Sequence, residues 1–234
     1  MAIEHNVITD PEIHEPKGAA AASEGEVYIA DGAASGAFAK PELLGTGWRD
    51  LIMPFTASEK GALNAPDFAK AFDDGSGSTG LWGYHFDKST VEELFMVFHL
   101  DHDYKVGTAF YPHVHWCPTN TDTGTVRWGM EWAYATRNDD TYSVFGNGTP
   151  AQTTYTYLEQ AAGGTAYAHQ VIEVADPGVT ITGAEPDTLF WVRIFRDASH
   201  ANDTYNNDAI GLSLDAHYQI DRYATLNRAP DFYT

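Results

Sequence analysis

The chain has 234 residues and carries 33 Asp and Glu against 13 Lys and Arg, a formal charge of -20. That balance argues against a nucleic-acid partner, because such affinity comes mainly from Lys and Arg neutralising phosphates, and against an anionic membrane surface. A hydrophobic content of 43%, with 13 Tyr, 12 Phe and 6 Trp, is enough to fill a sizeable core, and the lone cysteine, Cys117, leaves no intrachain disulfide.

Residues 1–40 are punctuated by Pro11 and Pro16 and rich in Ala, Gly and Ser. Such a segment cannot bury enough apolar surface to fold alone. We expect an extended N-terminal arm over 1–40, whose Val7, Ile8, Val27, Tyr28 and Ile29 dock on a neighbouring subunit. Residues 41–234 are expected to form the folded domain. Met1–Asp10 is polar and has neither the basic nor the apolar part of an export signal. No apolar run approaches the roughly 20 residues that span a bilayer. A protein made in and retained by a cytoplasm is the expectation.

Residues 43–55 read as the entry to the domain. Residues 66–72 read as a helical turn or loop, and 73–80 as a loop with three glycines. Residues 81–86 read as a strand with Trp82, Tyr84 and Phe86 on a buried face. Strand signals recur at 93–100, 110–116, 126–136, 141–145, 153–158, 167–174, 189–196 and 209–220, split by turn-forming Asn, Asp, Gly and Pro. This is the pattern of an all-β protein, an antiparallel β-sandwich of the jelly-roll type.

Two strands carry the clearest alternation. Phe110, Pro112, Val114 and Trp116 fall on one face of the first, with Tyr111, His113 and His115 on the other. Val126, Trp128, Met130, Trp132 and Tyr134 alternate with Arg127, Gly129, Glu131 and Ala133 in the second. Closing a hairpin about Thr121 would set Trp116 against Val126, Val114 against Trp128 and His115 against Arg127.

Imidazoles two apart on a strand can reach one metal ion. Gly107 followed by His113-Val114-His115 resembles the opening of the cupin motif. The glutamate that this motif places shortly after the second histidine is missing from Trp116-Cys117-Pro118-Thr119. The expectation is therefore no metal and no cofactor. His113 and His115 are the candidates should an ion bind, with Glu131 or His217 as a third ligand. Other clusters are His99 and His102 beside Asp101 and Asp103, the oxygen-rich stretch 202–208, the carboxylates Glu92, Glu93 and Glu131, and Cys117 near His115. None completes a calcium loop, a hydrolase pair or an activated thiol, and no catalytic residue is assigned. Aromatic residues over 141–157 and around Tyr205 suggest an exposed carbohydrate- or receptor-binding surface.

Several strings together resemble a group of tailed-bacteriophage virion proteins: Ile13-His14-Glu15-Pro16-Lys17-Gly18, Val27-Tyr28-Ile29-Ala30-Asp31-Gly32, His102-Asp103-Tyr104-Lys105-Val106-Gly107, Tyr111-Pro112-His113-Val114-His115-Trp116, His217-Tyr218-Gln219-Ile220-Asp221-Arg222 and Pro230-Asp231-Phe232-Tyr233. The resemblance implies a structural, non-enzymatic particle component: capsid decoration, head spike or fibre base. A tail or receptor-binding part is the alternative. The partners it implies are further copies of the chain, as a homotrimer, and the major capsid protein or another virion protein. The location it implies is the virion, assembled in the host cytoplasm.

Overall fold

The structure, a computed structural model, describes residues 21–32, 35–39, 45–61, 63–73, 75, 77, 79–137, 145, 154–229 and 232. Val7 and Ile8 of the expected arm, and the expected strand at 141–145 apart from Phe145, lie outside the described residues. The strands are β1 (Val27–Gly32), β2 (Ser35–Ala39), β3 (Thr46–Pro54), β4 (Glu59–Lys60), β5 (Asp67–Phe72), β6 (Leu81–Phe86), β7 (Glu92–His99), β8 (Tyr111–Pro118), β9 (Thr125–Ala135), β10 (Thr154–Ala161), β11 (Gln170–Glu173), β12 (Leu189–Arg196) and β13 (Ala209–Asp221). No helix among the described residues is long and apolar enough to cross a membrane.

Two units are distinguished. One comprises Met1–Gly47 with Ile220–Thr234, the other Trp48–Gln219. In the first, β1 and β2 pair as an antiparallel hairpin, and Val27 and Tyr28 remain 40% and 38% exposed. The sequence signal covers β1 alone, because Gly and Ala in β2 carry almost no strand propensity.

The second unit is an antiparallel sandwich. One sheet runs β11-β8-β13-β6-β5, with β3 also on β13; the other runs β10-β9-β12-β7-β4. The pairings nest: β9 with β10, β8 with β11, β7 with β12 and β6 with β13. That is a long hairpin wound into two layers, the jelly-roll arrangement.

The hairpin expected between the two most regular strands does not form. β8 and β9 lie in opposite sheets, and Trp116 meets Trp128 across the core with ring centroids 6.3 Å apart. Alternation identifies the apolar face of each strand correctly, but it does not distinguish a strand beside its partner from one facing it. Phe98, Phe110 and Phe190 stack nearby, and Phe86 packs edge-on against Trp128 at 4.9 Å. Each fully buried tryptophan removes some 150–250 Å² from water, worth roughly 4–6 kcal/mol before entropy is charged.

Residues 67–72 form an edge strand rather than a helical turn, since pairing with β6 overrides the helix preference of Ala69-Lys70-Ala71. Trp82, expected in the core, is half exposed at the outer end of β6, where Phe68 lies 6.1 Å away. In β13 a bulge falls between Gly211 and Ser213. Gly211 sits against Phe55 and Phe86, where a Cβ would come within 2.5 Å of the Phe55 ring. Beyond the bulge Leu214, Ala216 and Tyr218 point inward and are fully buried, while Leu212 is exposed.

Candidate functional site

The strand periods and the bulge together bring six polar side chains to the outer face of the first sheet. On β8, His113 and His115 alternate with the core residues Val114 and Trp116. On β13, Asp215 lies directly opposite His113, and His217 lies opposite Tyr111. Asp50 arrives from β3, which pairs with β13. His169 joins from the residue preceding β11, whose Val171 lies opposite His115. Imidazole ring centroids are 5.0 Å apart for His113–His115, 4.4 Å for His113–His217 and 4.9 Å for His115–His169.

Hydrogen bonding fixes several of these rings. His113 is buried, and its Nδ1–H donates to the Tyr111 carbonyl at 3.2 Å, which leaves the Nε2 lone pair free. His115 Nδ1 lies 2.7 Å from His169 Nε2. Its other nitrogen, Nε2, is 3.3 Å from Asp215 Oδ2, yet the geometry makes no hydrogen bond. Asp215 is 8% exposed, and its Oδ1 has no hydrogen-bond partner among the described residues. His217 Nε2 and Asp50 Oδ1 pair at 2.8 Å and are about half exposed. Burial pushes the His115 imidazole below its ordinary value; Asp215 opposes that shift, and His113 and His169 reinforce it. At neutral pH the ring is therefore mainly the neutral, lone-pair-bearing form.

Donor atoms of His113, His115 and Asp215 all fall within 4.8 Å of one another, as do those of Asp50, His113 and His217. Such nitrogen–oxygen sets suit borderline cations rather than calcium or magnesium, which prefer oxygen. Of the two third ligands considered from sequence, His217 is in the cluster and Glu131 is not. Glu131 lies in the other sheet, paired at 3.1 Å with Arg193, which also holds Glu93. That guanidinium is shared between the two carboxylates. Asp50, Asp215 and His169 were not singled out from sequence. Asp215 shares the β13 alternation with His217, whereas Asp50 and His169 arrive through long-range folding.

The remaining polar clusters have structural partners. Tyr218 donates to Asp103 at 2.9 Å and to Asp101 at 3.3 Å, while Arg49 also binds Asp103. His102 pairs with Asp187 at 3.2 Å, and His99 Nδ1–H donates to the Leu100 carbonyl. In the stretch 202–208 the positive charge is the chain's own Arg196. It is fully buried and bidentate to Asp203 at 2.8 and 2.9 Å. Tyr205, expected on the surface, is 1% exposed, with its hydroxyl donating to Asn120 Oδ1 at 2.9 Å and accepting from the Thr119 N–H at 3.0 Å. Cys117 is buried, and its thiol is pushed up to about 11. Successive strand residues alternate faces, but Cys117 and His115 do not form a pair, since Cys117 clusters with Ala71 and Ile210.

A second surface lies on the outer face of the other sheet. Phe95, Glu131, Ala133, Phe145, Trp191 and Arg193 line a pocket of about 280 Å³. Trp191 is 56% exposed and meets Phe145 edge-on at 6.0 Å.

No family model matches the chain, and no curated protein does. Solved structures are similar to it at low identity and low TM-score. One is the CBM36-1 domain of a multidomain xylanase from the hindgut metagenome of Trinervitermes trinervoides: 11% identity, TM-score 0.35, over 72% of this chain and 96% of that one. A second is a family 11 carbohydrate-binding module from Clostridium thermocellum in complex with a β-1,3-1,4-mixed-linked tetrasaccharide: 11% identity, TM-score 0.31, over 83% and 96%. A third is infectious bursal disease virus, Gx strain: 10% identity, TM-score 0.36, over 88% of this chain and 38% of the viral one.

Proposed function

We propose that this chain is a structural component of a tailed-bacteriophage particle. It would be a jelly-roll block that decorates or stabilises the head, or builds a head spike or fibre base, held through its N-terminal segment. The reading starts from the sequence strings distributed from end to end. The observation that carries it is the β1–β2 hairpin, which belongs to a unit separate from the sandwich and leaves Val27 and Tyr28 exposed on a strand. An exposed apolar strand with free backbone groups is a ready template for pairing with another chain. Copies of this chain, as a trimer, and the major capsid protein are the partners the reading implies, and it requires no catalytic residue.

The test substitutes Val27→Asp with Tyr28→Asp in the full chain and follows incorporation into particles. Loss of incorporation, with the unfolding transition of the sandwich unchanged, is the expected result. Normal incorporation overturns the docking role.

A second reading is favoured by the exposed Trp191 beside Phe145 and the Glu131–Arg193 pair: a carbohydrate- or receptor-binding surface. Sugars stack on exposed aromatic rings while ionic groups orient their hydroxyls. A glycan array should then give hits that Trp191→Ala abolishes. An array blank for the unaltered protein removes this reading.

A further inference from the structure

We propose that His113, His115 and Asp215 form a binding site for one divalent transition-metal ion of the zinc type, on the outer face of the first sheet. The inference is independent of the particle reading and departs from the sequence expectation of no metal.

Three observations carry it. The first is spacing. A tetrahedral zinc ion, with bonds of about 2.0–2.1 Å, holds its donors roughly 3.3 Å apart. His115 Nε2 and Asp215 Oδ2 are 3.3 Å apart, and one ligand atom from each of His113, His115 and Asp215 lies within 4.8 Å of the other two. The second is unmet valence. A well-formed ion pair between His115 and Asp215 would satisfy both groups. Instead His115 Nε2 and Asp215 Oδ1 are both buried without a hydrogen-bond partner among the described residues. A buried carboxylate oxygen in that state is costly unless a cation meets it. The third is orientation. The Tyr111 carbonyl fixes the His113 tautomer with Nε2 free, and His169 occupies His115 Nδ1, leaving Nε2 for an ion. Metal-binding histidines are held in this way, through the ring nitrogen that does not ligate.

The backbone makes the arrangement rigid. Two donors stand two residues apart on β8, and the third lies directly across the ladder on β13. The missing cupin-type glutamate is thus replaced by a carboxylate from the adjacent strand. His217 and Asp50 satisfy each other at 2.8 Å and flank the site rather than complete it.

The test uses the full chain, purified without a metal-affinity step, stripped with chelator and titrated with zinc(II) or cobalt(II) alone. One equivalent of zinc should bind and raise the melting temperature. Cobalt(II) should develop the visible absorption of a low-coordinate nitrogen–oxygen site. His115→Ala and Asp215→Asn should each weaken zinc binding by more than the ~10–100-fold expected for His169→Ala, which removes only an orienting partner. His200→Ala, outside the cluster, should bind as the unaltered chain does. The proposal is overturned by any of three results: no stoichiometric zinc uptake by the unaltered chain, a cobalt spectrum that stays that of the aqueous ion, or uptake lost in His217→Ala but retained in His115→Ala. The cobalt spectrum needs no variant, so misfolding of a variant does not shield the proposal.

Discussion

Replacing Arg196 with Met should destabilise the sandwich more than most single changes. The guanidinium is fully buried and donates to both Asp203 oxygens and to the carbonyls of Phe86, Asn207 and Tyr205, at 2.6 to 3.2 Å. The Asp203 side chain is itself 1% exposed, and it also accepts the Arg127 N–H at 3.0 Å. Methionine fills most of the volume but leaves the Asp203 carboxylate with only the Arg127 N–H and no counter-ion, and takes a donor from each of three carbonyls. Removing one partner of a buried pair costs about 3–5 kcal/mol, because the other charge stays buried. For a unit spanning Trp48–Gln219, at ~2–4 °C per kcal/mol, the melting temperature should fall by roughly 6–20 °C. Thermal and urea unfolding of the variant measure this. Adding Asp203→Leu to Arg196→Met should recover part of the loss, since the orphaned charge is then gone. A loss under about 1 kcal/mol for Arg196→Met, or no recovery in the double variant, would refute the reasoning.

Three further changes probe other parts of the fold. Asp87 accepts hydrogen bonds from the Ser89 N–H and hydroxyl and from the Thr90 N–H, chief among them the Ser89 hydroxyl, and its carboxyl is held at about 2. A folded-state value below the ordinary one means the stabilisation is complete above the usual carboxylate range and is lost as pH falls through about 2. Asp87→Ala should therefore cost about 1 kcal/mol in urea unfolding at pH 7, with the gap closing toward pH 2; a gap independent of pH contradicts the assignment. Cys117, buried with its thiol near 11, should resist iodoacetamide at pH 8 in the folded protein and react once urea unfolds it. Equal native and unfolded rates would place the thiol at the surface. Gly129→Ala puts a Cβ within 2.7 Å of Phe195 Cε2, and should cost about 1–3 kcal/mol by displacing a ring on which Arg193 stacks; an unchanged melting temperature shows that the ring yields freely.

The strands from β6 to β13 were largely legible, because most of them alternate between a filled core and an outer face, whereas the mostly exposed β3 and β4 carry no such alternation. Leu81–Phe86 and Leu189–Arg196 were read to the residue. Pairing was not legible. The apolar faces of β8 and β9 meet through the core, and the same alternation would arise had they been neighbours. β5 was missed because the ladder with β6, not its own composition, makes it a strand. At the candidate site, His113 and His115 were readable as a strand pair, and His217 as a possible companion. Asp50 and His169 come from segments whose sequence says nothing about where they land. Arg196 was hidden for the opposite reason: a charged residue closing an apolar strand reads as a surface residue. Its burial depends on a counter-ion and three carbonyls gathered by folding.

The nested pairing has a consequence for synthesis. During translation, β6 to β9 emerge well before β12 and β13, yet none of these four pairs with another. β13 lies between β6 and β8 in one sheet, and β12 lies between β7 and β9 in the other. Halfway through, the ribosome has delivered the outer parts of both layers and the central strand of neither. At ~5–20 residues per second, β8 and β9 and the inner edges of β6 and β7 wait for seconds with backbone groups unpaired and aromatic faces uncovered. The arrival of β10 beside β9 is the first point at which the nested set can begin to close, and each outer pair then zips over a shorter remaining gap. Aggregation during expression should therefore depend most on how quickly the second half of the chain follows the first.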